Sequence, residues 1–274
     1  MNPSIARRAL LLTALLSTGA LAEIKTADNP DASPVWQKVR ASLFKSRPIA
    51  AASDEVISLV VPARAEDAAI VPIAIRTRLP QTPSRYIDKV YLIIDNNPSP
   101  ISAIFQFTPQ SGRADIETRV RIDEYTHVRA IAETNDGRLH MAVGFVKASG
   151  GCSAPPGKDA QAALATLGRM KLSVEGHAED NQPQLVQLMI SHPNNSGLAL
   201  DQVSRLYTPP YFVRQVNISY AGVPVMSADV DFSISENPNF RFYFLPRGEG
   251  ELKAEVIDSH DLRFESALKY RRVQ

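Results

Sequence analysis

Two hydrophobic rhythms divide the chain. Behind Ser33-Pro34, the apolar residues Val35, Trp36, Val39, Leu43 and Phe44 recur at helical spacing. Serine caps the orphan N–H groups of a first turn and proline suits its fixed φ, so a short helix is predicted here, laid on a sheet by Trp36. From Glu55 the pattern changes. Short runs rich in β-branched and aromatic residues cover 56–61, 70–77, 89–95, 101–107, 115–122, 127–133 and 139–146, separated by Pro, Asn or Gly. Within Thr134-Asn135-Asp136-Gly137, the Asp-Gly pair supplies the positive φ of a tight hairpin. Strands at this spacing predict an antiparallel sandwich of immunoglobulin type.

Gly150, Gly151, Pro155, Pro156 and Gly157 break that texture, and 160–167 is small and only weakly amphipathic. A second strand-rich block follows at 171–174, 185–191, 213–220, 223–228, 240–245, 251–257 and 263–269. Phe240, Phe242 and Phe244 alternate with Arg241 and Tyr243, a pattern of core and interface rather than of a ligand box. The expected class is therefore all-β: two immunoglobulin-like antiparallel β-sandwich domains and a short N-terminal helix. The first sandwich is placed at 23–148, a linker arm at 149–168 and the second sandwich at 169–274. The two blocks share texture without a residue-level repeat.

Residues 1–22 read as an export signal: Arg7 and Arg8, the apolar run from Ala9 to Leu16, then Ala20-Leu21-Ala22 before a cleavage point at Glu23. The arginine pair leaves Sec and Tat export both open. Either route places the mature protein in the periplasm. No later segment approaches the ~20 apolar residues of a membrane span. The full chain carries 30 basic and 29 acidic residues; losing Arg7 and Arg8 leaves 28 against 29, a formal charge of −1. A near-neutral chain with its charges interspersed has no footprint for nucleic acid.

The chain has a single cysteine, Cys152, within "VKASGGCSAPP", so no internal disulfide forms. Gly150 and Gly151 before it and Ser153, Pro155 and Pro156 after it offer no strand or helix to bury it, which predicts an exposed thiol on a flexible arm. About six extended residues at ~3.3 Å each would carry it some 20 Å from the sheet. Lys147 and Lys158 flank the thiol and favour its anion only weakly, because solvent screens them. His127, His140, His177, His192 and His260 have no metal-ligand spacing, and no second cysteine provides a redox pair. His177-Ala178-Glu179-Asp180 is a solvated polar loop rather than a metal cluster. No metal or cofactor is expected.

Three stretches of the second block are distinctive together: Ile190-Ser191-His192-Pro193 through Ser196-Gly197, "PPYFVRQVNISYAGVPVMSADV" from Pro209, and "SISENPNFRFYF" from Ser233. They resemble the SoxZ subunit of bacterial sulfur oxidation, and the first block, with "VKASGGC" at its end, is similar to its partner SoxY. The whole looks like the fused SoxYZ-like carriers found with quinoprotein (PQQ-dependent) dehydrogenases. The resemblance implies a periplasmic carrier, not an enzyme. Cys152 would be the covalent attachment point for a sulfur intermediate, Gly150 and Gly151 would make its arm flexible, and His192 and Pro193 would shape a loop at the domain interface. The implied partners are periplasmic oxidoreductases, either Sox-type cytochromes or a quinoprotein dehydrogenase system. One departure stands out. In separate SoxY chains the cysteine lies near a free C-terminus, whereas here Ser153-Ala154-Pro155-Pro156 follows and the chain continues to Gln274. Two other readings remain: an accessory or assembly module for a quinoprotein dehydrogenase with Cys152 incidental, and a cysteine-dependent enzyme.

Overall fold

The computed structural model describes residues 29–51, 56–155, 160–176, 181–201 and 204–271. The export segment 1–22, Lys158 and the 177–180 cluster lie outside the described residues. The predicted helix is α1 (Pro34–Leu43), with the Ser33 hydroxyl accepting from the Trp36 N–H at 3.2 Å. Eight strands follow: β1 (Ile49–Ala51), β2 (Ile57–Val60), β3 (Val71–Thr77), β4 (Ile87–Ile94), β5 (Ile101–Phe107), β6 (Ile116–Val120), β7 (Thr126–Thr134) and β8 (Leu139–Val146). After a short helix α2 (Ala160–Ala165) come β9 (Met170–Glu175), β10 (Gln184–Ile190), β11 (Val213–Tyr220), β12 (Val223–Val230), β13 (Asn239–Phe244), β14 (Gly250–Asp258) and β15 (Arg263–Tyr270). The β7–β8 hairpin turns at Gly137, whose φ of +82° needs a residue without Cβ; its N–H donates to the Thr134 carbonyl at 2.7 Å.

These strands form two stacked sheets that run without a break through both halves of the chain. The larger has the order β1-β8-β7-β4-β5-β12-β11-β14-β15, and the smaller β2-β3-β6-β13-β10-β9. Neighbours are antiparallel except β1, which lies parallel to β8. The halves join edge to edge at two seams. In the larger sheet β5 pairs with β12, setting Phe105 opposite Ala228 and Phe107 opposite Met226. In the smaller sheet β6 pairs with β13, setting Ile116 opposite Phe242. Each half keeps the expected sandwich, and the strand pairing determines how the two sandwiches meet.

Alternation along the strands builds the core. In β3, Val71, Ile73 and Ile75 point inward while Pro72 is exposed; in β13, Phe240, Phe242 and Phe244 are all buried. One continuous cluster includes Phe105 and Phe107 from the first half and Phe240 to Phe244 from the second, with Phe105 edge-on to Phe240. A smaller cluster lies under α1, where Trp36 and Phe44 cover Tyr91, Ile93, Ile131 and Leu139. Beside it Arg129, fully buried, forms a two-pronged bond to Asp95 (Nε–Oδ1 2.8 Å, Nη2–Oδ2 2.6 Å) and lies 4.4 Å from the Trp36 ring centroid.

Candidate functional site around Cys152

Downstream of β8 the chain stays pinned to its own half. The Lys147 N–H donates to Ala63 and its carbonyl accepts from Ala65. Gly150 N–H donates to Asp123 at 2.7 Å, and Gly151 N–H to Ile122 at 2.9 Å. Gly150 has φ +80° and open space around it. Gly151 is different: a Cβ there would lie 2.0 Å from the Ala68 carbonyl oxygen and 2.7 Å from that of Ile122. Its lack of a side chain therefore serves close packing. The next residue, Cys152, is 0% exposed. Its carbonyl accepts from the Ser196 hydroxyl of the second half, and the Ser153 hydroxyl turns back to the Gly150 carbonyl at 3.3 Å.

The expectation of an exposed thiol is corrected here. Of the two glycines that suggested a free arm, Gly150 only turns the chain, while Gly151 lets the backbone lie flat against residues 68 and 122, and the loop at 194–196 closes over it. Burial pushes the thiol up to about 12; the nearby Asp123 and Asp231 carboxylates add to this, and Arg121 opposes it. In this pose the thiol is almost wholly protonated and unreactive.

Arg121 sits next to the docked segment, 4% exposed. Nη1 donates to the Gly151 carbonyl and Nη2 to the Asn194 carbonyl, both at 3.3 Å, while Nε has no partner. Burial lowers its pKa, against the opposing pull of Cys152, Glu236 and Asp67. Asn194, with φ +46°, ties the second half to this point: its side chain donates to Ile234 (2.8 Å) and accepts from the Val213 N–H (2.9 Å).

His192 and Pro193 are buried in the same loop. The His192 Nδ1 accepts from the Asn194 N–H at 3.1 Å, Nε2 faces Asp258 at 3.6 Å, and Tyr211 packs edge-on to the ring at 4.6 Å. Burial lowers the His192 pKa despite Asp258, so the imidazole is neutral and acts as a fixed acceptor. Tyr211 stacks on His260 at 4.1 Å, its hydroxyl pushed up to about 12 by burial and by Asp258. These groups brace the loop that carries Asn194 and Ser196. Among the described residues no group of His, Cys, Asp and Glu could hold a metal ion, and no helix is long and apolar enough to cross a membrane.

Two family models match the chain in succession. Residues 40–152 match the sulfur oxidation protein SoxY, and residues 170–269 match the sulphur oxidation protein SoxZ. The chain belongs to the fused SoxYZ-like family. The SoxY match ends on Cys152, and the SoxZ half supplies Asn194 and Ser196, so the site lies where the two halves meet. These are the domains of a sulfur-oxidation carrier family, whose members are typically periplasmic. Among solved structures, the sulfur carrier protein SoxY from Chlorobium limicola f thiosulfatophilum is 24% identical, covering 42% of this chain and 91% of its own, with a TM-score of 0.35. A superoxide reductase (neelaredoxin) from Ignicoccus hospitalis is 14% identical over 34% of this chain and 79% of its own, with a TM-score of 0.31. No curated protein matches the chain. The family assignment rests on the two models.

Arg121, Asn194 and Ser196 had not been singled out by their chemistry in the sequence. Asn194 and Ser196 both lie inside the SoxZ-like stretch from Ile190 to Gly197, but a lone arginine at a strand end carries no local signal that it will meet a cysteine 31 positions later.

Proposed function

We propose that the protein is a periplasmic carrier that holds a sulfur intermediate covalently on Cys152 and presents it to partner oxidoreductases without catalysing a reaction itself. The supporting observation is that the SoxY match ends on Cys152 within a Gly-Gly-Cys stretch, against the SoxZ half. The docked pose adds a step to this reading. A buried, protonated thiol is a resting state, and loading begins when a partner draws 150–153 away from Ala68 and Ser196. The retaining bonds are few and mostly to backbone, so a partner interface replaces them readily. Joining a thiol to a sulfur anion breaks the S–H bond and makes a sulfur–sulfur bond; the proton passes to solvent and the two electrons released pass to the partner oxidoreductase. Sox-cytochrome genes beside its own would favour inorganic sulfur such as thiosulfate as cargo, whereas alcohol-dehydrogenase genes would favour an accessory role.

Intact-mass analysis of protein freshly purified from its host tests the reading. The expected result is a reductant-sensitive mass increment that maps to Cys152 and is absent from Cys152→Ala. The burial of Cys152 favours a second reading, a non-catalytic accessory module of a PQQ-dependent dehydrogenase in which the cysteine is incidental. Under that reading Cys152→Ala leaves the host pathway intact while loss of the whole protein abolishes it. A cysteine-dependent enzyme runs against the chemistry, because activation of a nucleophile requires a lowered thiol pKa, not a raised one.

A further inference from the structure

Two arginines are buried among the described residues, and they are satisfied very differently. Arg129 meets the Asp95 carboxylate through two short bonds. Among the described residues Arg121 has no carboxylate within 4.0 Å; it makes two long bonds to carbonyls and leaves Nε–H without a partner. Glu236 and Asp67 act on Arg121 only from beyond 4.0 Å, and a buried guanidinium without a close counter-anion is unfavourable, which favours the arrival of a further anion beside it. The two contacts place that anion. One carbonyl belongs to Gly151, the residue before the thiol, and the other to Asn194 across the junction.

We infer that Arg121 is the counter-cation for a negatively charged group carried on Cys152, so that the site takes adducts ending in a sulfur oxyanion or similar acid and disfavours neutral or cationic ones. The inference rests on the carrier reading and specifies the charge of its cargo. Exchanging the two 3.3 Å carbonyl bonds and the idle Nε–H for charge-assisted bonds to two oxygens of a tetrahedral anion satisfies the planar fork of the guanidinium. Among the described residues the other charges acting on the thiol, Asp123 and Asp231, are both acidic, so Arg121 is the one of these that makes the position tolerable to an anion. Through Asn194 and Ser196 the second half has a role in this recognition: it holds the guanidinium and closes over the cysteine.

The test uses the full chain labelled with three methanethiosulfonates whose transferred groups are methyl, 2-sulfonatoethyl and 2-trimethylammonioethyl. In each labelling the Cys152 thiolate attacks the divalent sulfur of the reagent, a disulfide forms and methanesulfinate leaves. Release of each adduct by tris(3-hydroxypropyl)phosphine, an uncharged reductant that becomes its phosphine oxide with the oxygen of water while both sulfurs leave as thiols, is then timed at low salt. The sulfonate adduct is expected to be released about tenfold more slowly than the cationic one, with the neutral adduct between them. Arg121→Gln should bring the three rates to within about twofold, and Arg121→Lys should preserve their order. Equal rates in the wild-type protein overturn the inference, whatever the variants do, so it stays testable if Arg121→Gln fails to fold. The carrier reading fails separately. An anion preference in these rates with no Cys152 adduct in host-purified protein removes the carrier, whereas a native adduct with no charge order removes only the role of Arg121.

Discussion

Gly151→Ala probes the docked cysteine most directly. The added methyl carbon would lie 2.0 Å from the Ala68 oxygen and 2.6 Å from its carbonyl carbon, both backbone atoms that cannot rotate aside. Ala68 is itself held, since its oxygen accepts from the Ile122 N–H at 2.8 Å. The segment must therefore lift, carrying Cys152 into water. In the docked pose the thiol stands near 12 rather than its ordinary 9, which removes about a thousandfold of thiolate at neutral pH. A more basic thiolate is also more nucleophilic, by about 0.4–0.5 powers of ten for each tenfold in basicity, which leaves a net deficit of about 30–60-fold. If alkylation runs only through an undocked state, that compensation vanishes and the deficit approaches a thousandfold. Iodoacetamide labelling at pH 7.5, followed by intact mass, should thus be at least about 30-fold faster for Gly151→Ala than for wild type. Circular dichroism and the melting curve check that the sandwich survives. A folded Gly151→Ala protein whose rate rises less than about threefold would refute the claim that close packing of this glycine holds the thiol away from water.

Other expectations follow from the same structure. Because the docked thiol keeps its proton where an unfolded one loses it, stability from this group is complete below about pH 9 and declines towards pH 12. The unfolding free energy of wild type minus that of Cys152→Ala should drop by about 2 kcal/mol between pH 8 and 10.5, and a flat difference would contradict the burial. Asp95→Ala leaves the Arg129 guanidinium buried without its anion and should cost about 3–5 kcal/mol in urea denaturation; a loss below about 1 would mean that water reaches the site. Phe105→Ala, at the seam, should cost about 3–5 kcal/mol. Because one core spans both halves, calorimetry should record a single transition for wild type and for this variant, and two separate transitions would show that the halves unfold independently.

Much of the fold was legible in local pattern. All fourteen predicted strands are present, and 101–107, 139–146 and 213–220 coincide with β5, β8 and β11. Ser33 caps α1 and Gly137 turns the β7–β8 hairpin as their chemistry requires. The three-residue strand β1 was missed because it depends on a parallel partner some 90 residues away rather than on its own periodicity. The candidate site was legible only as an address. "GGCSAPP" marks Cys152 as unusual, but the same glycines suit a loose tether and a tightly seated one. The choice is made by Ala68, Ile122 and Ser196, each far from Cys152 in sequence. Arg121 was invisible for the same reason, since the absence of any carboxylate within 4.0 Å of it among the described residues exists only in three dimensions.

The seams β5–β12 and β6–β13 also bear on how such a protein is made. Separated, each half would expose the naked rims of two sheets, with apolar Phe105 and Phe107 on one and Phe242 on another open to any passing strand. Synthesis as one polypeptide gives every rim its mate at a fixed stoichiometry of one to one, so neither half has to survive alone. A truncated product ending near Cys152 should therefore collect in inclusion bodies.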